Sequence, residues 1–194
     1  MKTTKKLVLF IALIALTLSS CSKDDDTTPV TFQEENPLTG FLQSSGFNFY
    51  KNIASNIGGE AEMGFSFIPK VNGTINALVN KTHVPNSNLK VTIWDKVTGL
   101  AIATNFVNIV NPGVELVTNI SPVSLQKNKE YIISVKTQFY YIYEKQNAAN
   151  QVYPVESGNI AITGSLDGNA NQLPNLAISN SFTGDYSFIF KQSE

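Results

Sequence analysis

From Gly46 to the end of this 194-residue chain, short runs of β-branched and aromatic residues are cut by turn signals about every eight to twelve residues. In Glu62-Met63-Gly64-Phe65-Ser66-Phe67 the large apolar side chains occupy every second position, so an extended backbone sends them to one face and the polar residues to the other. Asn72-Gly73 follows, two residues that tolerate the positive φ of a tight hairpin turn, and Ile75, Ala77 and Val79 supply the apolar face of the return strand. A second hairpin is expected from Leu89 to Trp94, a turn over Asp95-Lys96-Val97-Thr98-Gly99, and a strand from Leu100 to about Val110. Pro112-Gly113 turns the chain again, and Val114 to Ile120 and Pro122 to Leu125 read as further strands. The longest run, Glu130 to Glu144, places Tyr131, Ile133, Val135, Phe139, Tyr141 and Tyr143 on one parity, assigned to the core. Strands are expected again near Ile160–Thr163 and Tyr186–Phe190, with Asn-rich loops at 148–151 and 168–175. No helical stripe and no internal repeat is evident. An oily sheet face without helices must be covered by a second sheet, so the expected class is all-β: an antiparallel β-sandwich, jelly-roll-like, forming one domain over 46–194.

The first 45 residues are of another kind. Lys2, Lys5 and Lys6 precede an apolar run from Leu7 to Leu18, broken only by Thr17, and then Ser19-Ser20-Cys21. A basic head, a greasy stretch too short to span a bilayer and small residues at the cut describe a secretory signal over 1–20. A cut placed before a cysteine resembles the bacterial lipoprotein signal, which implies cleavage between Ser20 and Cys21 and a lipid on Cys21. Lys23, Asp24 and Asp25 behind it resemble the surface-export signal of Bacteroidetes lipoproteins, which implies a lipid-anchored protein on the outer face of the outer membrane. The competing reading is that the acids merely keep a tether solvated. Asp26-Thr27-Thr28 resembles the O-glycosylation motif of the same bacteria, with Thr27 as the acceptor. Residues 21–45, rich in Ser, Thr, Asp, Glu and Pro, are expected to form a flexible tether.

Without residues 1–20 the chain keeps 14 − 3 = 11 lysines against 15 acidic residues, and it has no arginine. A mildly acidic chain without guanidinium groups offers phosphates no positive stripe, so nucleic acid is not an expected partner. Cys21 is the only cysteine, so no disulfide can form within the chain, and packing must supply the stability. The single His83, in a polar turn ahead of Pro85, confines any imidazole chemistry to one residue.

The segment Glu62-Met63-Gly64-Phe65-Ser66-Phe67-Ile68-Pro69, then Gly73-Thr74-Ile75, Val91-Thr92-Ile93-Trp94-Asp95 with Thr98-Gly99, and Glu130-Tyr131-Ile132-Ile133-Ser134-Val135 is similar to a bacterial extracellular domain of unknown function. That family shows a G-x-x-F strand, a G-T-I turn, a W-D-x-x-T-G hairpin and a Y-x-I-S-V strand in this order. The resemblance covers about residues 60–144 and implies a jelly-roll sandwich like those of carbohydrate-binding modules. It brings no catalytic residues. Asn80 and the longer stretch Thr82 to Asn88 depart from the family's pattern.

Trp94 shares parity with Lys90 and Thr92, which puts its indole on the wetter face, where it would be a stacking platform for a sugar ring. The competing reading tucks it under a loop. Tyr140, set with Lys136, Gln138 and Glu144, is the analogous platform candidate or a surface tyrosine without duty. Asp167, Asn169 and Asn171 have the opening spacing of a calcium loop, with Asp185 as a further donor. The pattern then fails, since Gln172 stands where the glycine belongs and Ile178 where the bidentate Glu belongs, so no cofactor is expected. Glu60 and Glu62 share a strand face while Glu115, Glu130, Glu144 and Glu156 are scattered among polar neighbours, a poor setting for acid–base catalysis. The expected function is a non-catalytic, surface-exposed binding module, with an extracellular glycan as ligand; the alternative is a structural or protein-interaction module of the cell envelope. Labelled palmitate is expected to enter the chain in cells and to be lost on Cys21→Ser; label retained by the serine variant would contradict the lipid assignment.

Overall fold

A computed structural model describes residues 31–47, 49–54, 59–145 and 149–193. The signal, the cleavage and lipidation site, the export residues and Thr27 lie outside the described residues. From Phe32 onward the chain forms one compact unit. A seven-stranded antiparallel sheet has the order β10 (Val155–Ser157), β11 (Ile160–Asn169), β3 (Ala61–Pro69), β8 (Tyr131–Thr137), β5 (Asn86–Asp95), β6 (Ala101–Ile109), with β12 (Leu176–Ile178) also on β11. The facing layer is built from two sheets. One is β1 (Glu34–Glu35), β14 (Asp185–Gln192), β4 (Gly73–Lys81), β7 (Leu116–Leu125); the other is β13 (Ser181–Thr183), β9 (Phe139–Glu144), β2 (Phe49–Ala54). The chain crosses between layers at β3→β4→β5, at β6→β7→β8→β9 and again around β11, β13 and β14, so this is the expected antiparallel, jelly-roll-like sandwich.

Aromatic rings weld the layers. Phe67 of β3 lies 4.7 Å from Phe188 of β14 between ring centroids, and Phe65 lies 5.7 Å from Phe182 of β13. Phe65, Phe67, Val91, Ile93, Ile133, Val135, Phe188 and Phe190 belong to one buried cluster, which includes the expected alternation on β3, β5 and β8. On β4 the ladder shifts register between Ile75 and Ala77, so Leu78 joins Ile75 in that cluster, where a regular strand would have placed Ala77 and Val79. The run Glu130 to Glu144 is two strands in different sheets, divided at Gln138. Conversely, the two runs expected over Val114–Ile120 and Pro122–Leu125 form the single strand β7, which begins only at Leu116, with Pro122 tolerated because β7 is an edge.

The expected tether ends earlier than residue 45. A helix, α1 (Pro37–Ser45), follows β1, and both belong to the folded body. Asn36 caps it by accepting from the Leu38 N–H at 3.2 Å, Pro37 opens its first turn, and Gly46 closes it at φ +79°, a conformation that favours glycine. The helix buries Leu38 and Phe41, and the Phe41 ring lies tilted against Phe182 with centroids 4.6 Å apart. Phe41→Ala is therefore expected to cost about 3–5 kcal/mol in urea denaturation; a midpoint unchanged from wild type would return this segment to the tether.

Candidate functional site

The outer face of β3, β8 and β5 was expected to be wet. It is buried instead, beneath the β11–β12 connection. Trp94 is only 7% exposed and packs with Ile132, Leu166 and Leu173, so it is no sugar platform. Its indole N–H donates to Ser134 Oγ at 2.8 Å, and the Ser134 hydroxyl donates to Glu62 Oε2 at 2.6 Å. The other Glu62 oxygen accepts from the Asn171 N–H at 3.3 Å and lies 3.9 Å from Lys90 Nζ, which donates to Asn171 Oδ1 at 3.1 Å. Burial raises the Glu62 carboxyl above its ordinary range, and the Ser134 hydrogen bond and Lys90 draw it back. Gly64 sits here because a Cβ would collide with the Ile133 carbonyl of β8. Glu60 and Glu62 do not act together: the first pairs with Lys136 at 2.8 Å and the second is fully buried.

The calcium reading of 167–171 fails on the same geometry. Asn171 Oδ1 already accepts from an ammonium, which would repel a cation. Among the described residues no group of three acidic, His or Cys side chains is placed to hold a metal. His83, in the turn ahead of Pro85, is half-buried with its ring 5.9 Å from Phe139 and 5.4 Å from Tyr141.

What the structure does bring together is Asp167 and Tyr140. Asp167 stands opposite Met63 in the β11–β3 ladder and opposite Leu176 in the β11–β12 hairpin. It lines a cleft of about 360 Å³ with Glu60, Met63, Asn169, Asn175 and Leu176. The connection is folded back by backbone bonds from Asn175 N to Asp167 O and from Gln172 N to Asn169 O, both 3.2 Å. Asp167 Oδ1 is buried and has no donor among the described residues, and burial pushes this carboxyl up to about 6. Tyr140, on β9, is half-buried; burial first and the Asp167 charge second raise its phenol. Tyr140 and Trp94, the two platform candidates, sit on different sheets and share no face. The signal for the cleft was Asp167-Gly168-Asn169 itself, read as the opening of a calcium loop.

A more open groove of about 590 Å³ runs between β6 and β7 and includes Thr104, Asn105, Ser121 and Ser124. Its charged and aromatic members are already engaged: Lys129 pairs with Asp95 at 2.7 Å, and the Tyr131 hydroxyl accepts from the Gln126 N–H at 3.0 Å. The cleft, with an unmatched carboxylate oxygen, is the stronger candidate. Since Trp94 is the only tryptophan, its fluorescence reports the cover over β5. Folded protein is expected to resist iodide quenching and Leu173→Ser to be quenched more; an unprotected wild type would contradict the burial.

Residues 50–182, more than half of the chain, match the model of a family described as Domain of unknown function (DUF4082). No curated protein matches the chain. The matched span contains both hairpins, the Glu62–Ser134–Trp94 brace and the Asp167 cleft, and the chain belongs to this DUF4082 family.

Proposed function

We propose that this protein is a non-catalytic binding module, held at the outer surface of the outer membrane by the lipid on Cys21, that takes an extracellular glycan in the Asp167 cleft. The observation that carries this reading is Asp167, which lines the cleft and whose Oδ1 is a buried acceptor without a donor among the described residues. Sugar hydroxyls supply such donors, the Asn169 and Asn175 amides can both donate and accept, and the exposed Leu176 offers apolar contact to C–H faces. The non-catalytic reading draws on the acids beside Asp167: Glu60, which lines the cleft with it, is paired with Lys136, and Glu62 is spent on the brace. The second reading, a structural or protein-interaction module of the envelope, draws on the exposed apolar side chains of Leu100, Ile102 and Phe106.

A charge-assisted hydrogen bond contributes about 1.5–3 kcal/mol, so Asp167→Ala is expected to weaken retention on glycan affinity gels by about ten- to a hundredfold. Retention should also fall from about pH 7.5 to about pH 5, as the Asp167 acceptor is protonated. Equal retention of variant and wild type at both values would remove the cleft as the site. The same shift fixes a sign for stability. A carboxyl raised from 3.8 to about 6 by folding stabilises the fold below its unfolded pKa, and that contribution is lost as pH rises through about 6. Asp167→Asn should therefore melt above wild type at about pH 8 and gain nothing at about pH 4; a gain of the same size at both would contradict the shift.

A further inference from the structure

We infer that the aliphatic tip of the β5–β6 hairpin, Val97 and Leu100, docks on the lipid surface that anchors the chain. This rests on the lipid that the proposed function places on Cys21. Whatever path the chain takes, the 31 − 21 = 10 residue steps from Cys21 to Thr31 span at most about 33–36 Å. The end of the body from which the chain leaves is therefore confined near the bilayer, and a contact too weak to hold a free protein there becomes effectively intramolecular.

Strand register identifies that end. Glu34 of β1 stands opposite Lys191 near the end of β14, and the Ser193 N–H donates to the Asn72 carbonyl at 3.0 Å. Neighbouring turns are stitched to the same place. The Lys127 N–H donates to Asn72 Oδ1 at 2.8 Å, the Asn128 N–H to the Pro69 carbonyl at 2.8 Å, and the Lys96 N–H to the Glu130 carbonyl at 3.2 Å. The turn 96–100 thus lies at the end where the chain enters. On it Val97 is 80% exposed and Leu100 66%, held on a turn fixed by Asp95 and Gly99. Apolar tips of this kind lose their unfavourable hydration in the boundary between headgroups and acyl chains. Charge does not oppose the contact: Lys70, Lys96 and Lys129 are matched by Glu156, Glu130 and Asp95 at 2.7, 2.8 and 2.7 Å, Glu34 faces Lys191, and Glu35 is taken by Asn159. Exposed Lys127 has no ion pair among the described residues and is left for a headgroup phosphate.

The cleft sits at the opposite end. In the β11–β3 ladder Ile160 and Pro69 pair at the near end and Asn169 and Ala61 at the far one, where Ala61 and Asn169 line the cleft. A body standing on its hairpin tip turns the cleft outward, toward a ligand in the medium. Val110 and Val114 are exposed too, but they lie at the far end, because Leu116 pairs with Asn80 and the Gly113 N–H donates to the Thr82 carbonyl.

The test uses the full, lipid-bearing chain in vesicles of phosphatidylethanolamine and phosphatidylglycerol, with a fluorophore on Thr98→Cys or, between the far-end valines, on Asn111→Cys. With brominated acyl chains in the vesicles, quenching at position 98 should exceed that at 111 at least threefold, since a tip in the interface sits about 5–10 Å deep. Adding Val97→Ser and Leu100→Ser to Thr98→Cys should return quenching to the level at 111, with the melting temperature unchanged because both side chains are exposed. Equal quenching at the two positions, or quenching at 98 that survives the two serines, would overturn the inference and leave the lipid anchor in place. A label at 98 shielded from aqueous iodide yet untouched by bromine would assign the tip to a protein surface and overturn it as well. A purified chain whose mass shows no lipid would remove the anchor and this inference with it.

Discussion

The fully buried carboxylate of Glu62 must be satisfied on both oxygens, and the way it is satisfied arranges one end of the sandwich. One oxygen takes the Ser134 hydroxyl, which in turn takes the Trp94 indole; the other takes a backbone N–H from Asn171 and faces Lys90. Asn171 belongs to the β11–β12 connection. Holding it down lays Leu173 over Trp94 and stands Asn169 and Asn175 at the rim of the cleft beside Asp167. Loss of the Ser134 hydroxyl, the Asn171 N–H or Lys90 would leave part of this buried carboxylate's demand unmet. The brace also ties together two sequence motifs of this chain: Trp94 of Trp94-Asp95 and Ser134 of Tyr131 to Val135 meet in a single hydrogen bond.

Beneath the brace, the sandwich is held by aromatic packing between layers and is closed at one end by α1. The W-D-x-x-T-G turn is local chemistry: Asp95 Oδ1 accepts from the Val97 and Thr98 N–H groups, and Gly99 takes φ +71°. The Lys129 ammonium beside it, with these N–H bonds, holds the Asp95 carboxyl below its usual range. The hairpin is thereby rigid at its turn, while the strand that leaves it, β6, ends the sheet with no further neighbour among the described residues.

The alternation in β3, β5 and β8 was legible because one face of each meets the core, and period-two spacing follows directly from that. The outer face was misread because its cover comes from 170–175, a stretch with no periodicity of its own; the parity of Trp94 was right and the wetness inferred from it was wrong. Local signals for α1 were present in Asn36, Pro37 and Gly46, but the segment is short and polar enough to pass for linker, and its burial depends on Phe182, far along the chain. The slip on β4 between Ile75 and Ala77 is set by pairing with β7, which no local pattern encodes. Asp167 and Tyr140 were each visible as candidates, yet they come from β11 and β9, and only the fold gives them a common electrostatic environment.

The central claim is that Asp167 offers a buried acceptor to a ligand, and the most direct measurement is a carboxyl ¹³C NMR titration of that residue with and without saccharide. The account predicts a midpoint near 6 in the free protein, moving down when a sugar hydroxyl donates to the carboxylate. A midpoint at the ordinary 3.8, unmoved by any saccharide that the protein retains, would contradict it.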